Sequence, residues 1–267
     1  MGEIPLQEQI AAATAYEEFF VPALFQEWAP RVVAVAQIQP GHRVLDVACG
    51  TGVLAREAAS HAGTSGSVAG LDLNPGMLAV AKRLTPGIEW RQGTAESLPY
   101  PDQSFDAVVS QFGLMFFADR DKSLREMLRV LAPGGHLAVA VWDSLDNTPA
   151  YAREVALLER IAGKNAADAL RAPFVLGDRS KLATLFKGAG VASVEIITHH
   201  GTARFPSIRS MAEADLRGWL PVMGVVLPEE QIERILAEAE QVLSLHVSEQ
   251  GRVIFDSPAH IVTGTRP

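Results

Sequence analysis

Between residues 43 and 142 short apolar runs alternate with stretches whose apolar residues recur at helical spacing. Arg43–Ala48, Ser67–Leu71, Ile88–Gln92, Phe105–Ser110 and His136–Trp142 read as strands. The last is nearly all apolar, as a strand covered on both faces should be. Leu54–Ala59 and Asp119–Leu131 read as helices; in the second, Leu124, Met127, Leu128 and Leu131 fall on one face. Strands alternating with helices predict a right-handed, doubly wound, mostly parallel α/β sheet.

The flanks are helical in pattern. Residues 6–37 predict two helices rich in alanine and aromatics, with Pro22 in the first turn of the second and Pro30 interrupting it. Residues 149–177 read as less regular helix and Asp178–Lys187 as a helix. Val191–His200 follows as a sixth strand. Ser207–Leu220 and Pro228–His246 read as helices, the second with an apolar stripe of Ile232, Ile235, Leu236, Ala239, Val242 and Leu243. Ala259–Gly264 is the last strand.

The most informative stretch is Val44–Leu45–Asp46–Val47–Ala48–Cys49–Gly50–Thr51–Gly52, an apolar run closed by an acid and followed by small residues. It predicts strand, tight turn and helix. Glycine lets backbone N–H groups approach a ligand, and the helix start adds unpaired N–H groups with partial positive charge. Gly50, Gly52 and Ala55 also satisfy the dinucleotide fingerprint G-x-G-x-x-A. Asp46 shifts the balance, because a carboxylate at the mouth repels a pyrophosphate and suits an ammonium or sulfonium. Asp72 closes the second strand about 20 residues on, where an acid accepts hydrogen bonds from ribose hydroxyls. Asn74 fits a helix N-cap, with Pro75 at the first helical position.

D-x-A-x-G-x-G after a strand resembles the first motif of class I S-adenosylmethionine-dependent methyltransferases; the family more often has Gly where Ala48 stands. Leu73–Asn–Pro–Gly–Met77 resembles its second motif. Gly93–Thr–Ala–Glu–Ser–Leu–Pro–Tyr–Pro with Ser104–Phe–Asp106 resembles its G-D-A, L-P-F and S-F-D stretch, and Leu131–Ala–Pro–Gly–Gly135 its L-x-P-G-G. The likeness covers roughly residues 40–145 and is nearest the broad group that includes the C-methyltransferases of ubiquinone and menaquinone biosynthesis. It implies a Rossmann-like methyltransferase fold of seven strands, the last antiparallel. S-adenosyl-L-methionine is the implied cofactor, and the implied binding residues are Asp46, Ala48, Gly50, Thr51, Gly52, Asp72, Leu73, Met77, Thr94, Ala95, Glu96 and Gln111. Met77 would lie beside the adenine. Thr94 replaces the usual Asp, so Glu96 or the Ala95 backbone is expected to meet the adenine amino group. Gln111 ends the fourth strand, where open α/β sheets bind ligands, and is expected at the methionine part; Phe112, Phe116 and Phe117 are candidates for the wall between cofactor and acceptor.

The resulting division is one methyltransferase domain, 1–267: an N-terminal helical segment (1–37), a cofactor-binding core (38–202), a helical insert (203–257) and the final strand (258–267). The N-terminal segment either packs on the core or closes over the cofactor mouth as a lid. A sulfonium methyl is already electrophilic, so no catalytic residue is assigned. Tyr16, Glu17, Asp143 and Tyr151 are the available bases, should the acceptor have to lose a proton; Asp143, Asn147 and Tyr151 either line an acceptor pocket or belong to a polar loop.

Composition narrows the partners. The chain has 267 residues and a net charge of −8, with 23 basic and 31 acidic residues. No block of lysine and arginine stands out, so a nucleic-acid surface is not expected. The single cysteine, Cys49, sits in the turn and rules out an internal disulfide framework. Glu3 and Glu8 do not fit a signal peptide, and no apolar run nears the ~20 residues of a membrane span. A cytoplasmic protein acting on a small molecule, with no membrane partner, is expected. His199 and His200 point to opposite faces of a strand and so do not share a metal; no metal site is expected. Two rival functions stay open. An NAD-dependent oxidoreductase would need a module such as Tyr-x-x-x-Lys, but Phe20, Ser104 and Val155 stand where that lysine belongs. A protein that binds S-adenosylmethionine without transferring methyl would carry the same motifs.

Overall fold

The computed structural model describes residues 5–266. The expectations that touch residues 1–4, Glu3 among them, and residue 267 lie outside the described residues.

The chain opens with α1, Leu6–Ala15. A widened, π-type helical segment, Tyr16–Phe25, runs on from it, and after one short turn α2 spans Ala29–Val35. Two helices had been expected. The difference lies at Pro22, which falls inside the widened segment rather than in a first turn. Pro30 opens α2 at a position where its missing N–H costs nothing.

The core then alternates: β1 (Arg43–Val47), α3 (Val53–Ala62), β2 (Ser67–Asp72), α4 (Pro75–Leu84), β3 (Glu89–Gln92), β4 (Phe105–Gln111), α5 (Arg120–Val130) and β5 (Leu131–Trp142). β5 begins at Leu131 instead of His136: Leu131 pairs with Phe105, and Ala132–Gly135 bulge out before His136 pairs with Ala107. α6 (Pro149–Ala162), α7 (Lys164–Arg171) and α8 (Arg179–Gly188) lead to β6 (Ala192–His199). β7 (Thr202–Phe205), α9 (Ile208–Glu213), a second π-type segment (Ala214–Trp219), α10 (Leu220–Val222), α11 (Glu229–Val242), β8 (Val253–Asp256) and β9 (Ala259–Thr265) complete the chain.

Seven strands form one sheet in the order β3-β2-β1-β4-β5-β9-β6. β1 to β5 run parallel, and β9 lies antiparallel between β5 and β6. This is the expected Rossmann-like sheet with its last strand reversed. Val44, Leu45 and Val47 of β1, Ala107–Val109 of β4 and Leu137–Val141 of β5 are fully buried, so helices cover both faces of the middle strands.

The stretch read as a helical insert is more than helices. β7 and β8 pair as an antiparallel ribbon, Thr202 with Asp256 and Phe205 with Val253, and the insert's helices rise from it. Ile232, Ile235, Leu236, Ala239 and Leu243 of the predicted stripe are buried, Val242 partly so. Among the described residues no helix is long and apolar enough to cross a membrane.

Candidate functional site: two adjoining cavities at the carboxyl ends of the strands

Three residues carry the turn after β1 through left-handed backbone. Ala48 has φ 59°, Gly50 φ 54° and Gly52 φ 90°. Gly52 starts α3, and its N–H bonds the Cys49 carbonyl at 2.8 Å. A Cβ on Gly50 would stand in open space, whereas one on Gly52 would lie 2.5 Å from the indole of Trp90 and one on Gly70 2.4 Å from it. Gly50 therefore leaves room for a ligand, while Gly52 and Gly70 admit the Trp90 ring beneath the turn. Ala48 carries a Cβ in a conformation that favours glycine, and this side chain is what would meet a Cβ on Gly113, 2.6 Å away.

Polar atoms with weak partners or none converge in front of this turn. Asp46 is buried with no closer partner than a weak contact from the Ala55 N–H, and Thr51 Oγ1 and Gln111 Oε1 are buried without partners. Burial, then the nearby charge of Asp72, pushes Asp46 well above the usual carboxylate range. Buried acceptors so poorly paired are costly, and three from separate elements facing one cavity is the arrangement expected of a site for a cationic, hydrogen-bonding ligand. Asp72 is better satisfied. Its Oδ2 accepts the Gly50 N–H and its Oδ1 the Asn74 N–H, both at 2.8 Å. Burial nevertheless raises it, against those hydrogen bonds, and each oxygen keeps a lone pair for a hydroxyl donor. Asn74 caps α4 as expected, accepting the N–H groups of Gly76 at 2.8 Å and Met77 at 3.2 Å.

The N-terminal segment closes this cavity. Tyr16 and Phe25 line it together with Asp46, Ala48, Gly50, Thr51 and Gln111, leaving about 30 Å³, enough for water and no more. Arg56 on α3 holds the segment through Glu17 at 2.7 Å, and Gln111 Nε2 donates to the Phe25 carbonyl at 3.1 Å. α1 lies so close to α4 that a Cβ on Gly76 would meet the Gln9 backbone at 2.5 Å. The donors and acceptors fit the amino-acid end of S-adenosylmethionine, and the volume Tyr16 and Phe25 leave here is smaller than that group.

A second cavity, about 80 Å³ in volume, lies on the other side of Tyr16 and Phe25. Phe20, Phe112, Phe116, Trp142, Phe174 and Trp219 give it an aromatic wall, and Tyr151 and Asp215 add two polar groups. Phe112 stacks on Trp142 with centroids 3.8 Å apart and planes 9° apart, and Trp28 meets both edge-on. Phe112 holds this place with φ 56°, an unusual conformation for a bulky residue and a pointer to function. A larger hollow of about 400 Å³, bordered by Ser67, Glu89 and Phe105, opens at the amino ends of β2, β3 and β4. Open α/β sheets bind at the carboxyl ends, so that hollow is not the site.

The predicted residues are thus brought together in part. Asp46, Ala48, Gly50, Thr51 and Gln111 border the closed cavity, and Gly52 starts the helix behind it. Asp72, Leu73 and Met77 form the next stretch, with Leu73 64% exposed and its carbonyl held by Gln92. Thr94 and Ala95 follow β3. Glu96 turns the other way with Oε1, which accepts the N–H groups of Ala118 and Asp119 ahead of α5. Asp143 is not available as a base: its oxygens accept from Ser144 N at 2.6 Å and Asn147 Nδ2 at 3.0 Å, and His260 Nε2 lies 3.1 Å away. No cluster of metal-ligating side chains occurs among the described residues. Trp90, Glu154 and Asp215 escaped the sequence reading. The signal for Glu154 was there: it falls on the buried stripe of α6 with Ala150, Tyr151, Val155 and Leu158.

Residues 45–139 match the family described as "Methyltransferase domain". That stretch is similar to methyltransferase domains. The ubiquinone/menaquinone biosynthesis C-methyltransferase UbiE of Xanthomonas campestris pv. campestris is 46% identical over 122 residues, 43% of this chain and 48% of that protein. Its counterpart in Stenotrophomonas maltophilia is 48% identical over 118 residues, 42% and 47% of the two chains. The chain therefore spans about half the length of the curated relatives it matches. The fold reaches further. The YcgJ protein of Bacillus subtilis superposes over 90% of this chain and 98% of its own with a TM-score of 0.61 at 20% identity. Phosphoethanolamine N-methyltransferase 2 of Haemonchus contortus, solved with S-adenosyl-L-methionine, covers 100% of this chain and 61% of its own, with a TM-score of 0.61 at 17% identity. The matched stretch contains the glycine turn, Asp72 and Gln111. Tyr16, Phe25, Trp142, Tyr151, Phe174, Asp215 and Trp219 lie outside it, so the second cavity is built largely by this chain's own flanks.

Proposed function

We propose that this chain transfers a methyl group from S-adenosylmethionine to a small apolar acceptor, directly and in line, driven mainly by proximity. The observation that carries the reading is the shared wall: Tyr16 and Phe25 line both the polar cavity at the glycine turn and the aromatic cavity beside it. S-adenosylmethionine, when bound, supplies an electrophilic methyl on a sulfonium. The chain's residues do the rest. Asp46 and Gln111 Oε1 accept hydrogen bonds from an ammonium, Asp72 from ribose hydroxyls, and Leu73, Met77, Thr94 and Ala95 flank the adenine. The rings of Tyr16, Phe25 and Phe112 exclude water and fix the acceptor; such orientation lowers a barrier by roughly 7–11 kcal/mol. Two relatives named for C-methylation in quinone biosynthesis support a ring-bearing acceptor, and the aromatic lining supports an apolar one.

The test combines titration calorimetry with S-adenosylmethionine and an assay of S-adenosylhomocysteine released in the presence of hydroxylated aromatic compounds. Binding accompanied by methylated product supports the proposal. A stable complex that forms no S-adenosylhomocysteine with any acceptor overturns it and leaves a binding protein.

A further inference from the structure

Two carboxyl groups face each other at the edge of the aromatic cavity. Glu154 belongs to α6 and Asp215 to the π-type segment of the insert, and they are 0% and 3% exposed. Asp215 lines the cavity; Glu154 stands behind it. The two carboxyls interact with each other, and beyond that contact both Glu154 oxygens and Asp215 Oδ2 are buried without a partner. No lysine, arginine or histidine forms an ion pair with either one among the described residues. Tyr151, one turn before Glu154, is the other titratable group that meets the pair, and burial and the two carboxyls raise its hydroxyl well above its ordinary range.

Such a pair is expensive as structure. Two buried carboxylates side by side repel, and both leave water, so the pair retains a proton: burial raises both groups, and Asp215 is raised further by Glu154. An apolar pair would pack better at no such cost. The two cavity walls that flank the pair are also the two π-type segments, Tyr16–Phe25 and Ala214–Trp219, a helix form that concentrates at functional sites.

We propose that Asp215, positioned by Glu154, is the base that takes a proton from an acceptor whose apolar ring lies among the aromatic side chains and whose hydroxyl faces the carboxyl pair. This rests on the methyl-transfer reading above. The step balances as follows. The acceptor's oxygen, or the ring carbon it activates, bonds to the methyl carbon; the S–CH₃ bond breaks with its electron pair on sulfur; the acceptor's proton passes to Asp215 and from there to water once product leaves. The chemistry selects a hydroxyl over an amine. The charge left on such a pair holds an amine as ammonium, which has no free electron pair to attack with. It does the opposite for a phenol, which becomes a better nucleophile as its proton is drawn away.

The test uses the full chain with S-adenosylmethionine and two probes, a naphthol and the naphthylmethylamine of the same ring skeleton. The wild type is expected to methylate the naphthol in preference to the amine, with a rate that rises as pH passes through the titration of the pair. Asp215→Asn is expected to lower kcat by roughly 10²–10⁴-fold, the usual worth of a general base, with S-adenosylmethionine affinity unchanged by calorimetry. Glu154→Gln removes the like charge behind Asp215 and should move the inflection of the rate profile to lower pH, a shift that mere loss of packing would not give. Preference for the amine, a naphthol that is left unmethylated while other acceptors react, an undiminished rate in Asp215→Asn, or an unmoved inflection in Glu154→Gln each overturns this assignment alone. A wild type that binds S-adenosylmethionine and methylates nothing overturns the methyl-transfer reading beneath it.

Discussion

Asp72 Oδ2 accepts the Gly50 N–H at 2.8 Å, tying the end of β2 to the turn that follows β1. The carboxylate that is to meet the ribose also holds the glycine turn in shape. Asp72→Ala is therefore expected to act twice. S-adenosylmethionine binding should weaken by about 1–3 kcal/mol, the worth of charge-assisted hydrogen bonds, and the melting temperature should fall because Gly50 and Asn74 lose their acceptor. Calorimetry and thermal unfolding read the two separately; unchanged affinity removes the ribose role.

Asp46 sets stability against binding. Its folded-state pKa is raised by burial, so the stability it contributes is full below the unfolded value of about 3.9 and is lost as pH rises through the folded value. At neutral pH it weakens the fold. Asp46→Asn should stabilise the ligand-free protein by about 1–3 kcal/mol, with the gain larger near pH 8 than near pH 5, while S-adenosylmethionine binds roughly 10–100-fold more weakly. A variant less stable at every pH, or one that binds as well as wild type, refutes the placement of the carboxylate at the cationic end.

Ala48 stands where the resembled family more often has glycine, and its φ of 59° shows what that costs. Ala48→Gly should raise stability by about 1 kcal/mol, since the left-handed strain exceeds the added freedom of the unfolded chain. Denaturant unfolding decides it, and a loss of stability would mean that the Ala48 methyl contributes more by packing against Gly113 than the strain removes.

The contact between Arg56 and Glu17 at 2.7 Å fastens the N-terminal segment across the cofactor cavity. Glu17→Gln should leave the fold intact and speed both association and dissociation of S-adenosylhomocysteine by roughly 3–10-fold, in line with about 1 kcal/mol for a half-buried ion pair. Stopped-flow fluorescence measures both rates. Equal rates in variant and wild type would show that the segment does not govern access.

The sheet and its glycine turn could be read from residues because both are local. Each strand of the core except β3 carries an apolar run closed by a turn signal, and the acid that closes β2 sits at a fixed remove from the turn. What escaped depends on distance in the chain or on geometry with no sequence mark. Thr202 pairs with Asp256 across the whole insert, which no local pattern announces. The two π-type segments have the composition of ordinary helix. Trp90 looks like a half-buried strand residue until Gly52 and Gly70 are seen to make room for its ring. Glu96 and the Ala95 backbone were both candidates for the adenine amino group, and the fold gives one Glu96 oxygen to the N–H groups of Ala118 and Asp119. Glu154 was legible in principle, as a carboxyl on an apolar helix stripe, but only the fold brings Asp215 to it.

Tyr16 and Phe25 belong to one short helical segment and face both cavities. A single door therefore serves two rooms. On the proposed reading, a movement of this segment that released the spent nucleoside would take a wall from the methylated product as well, so that each turnover would reset the two chambers together.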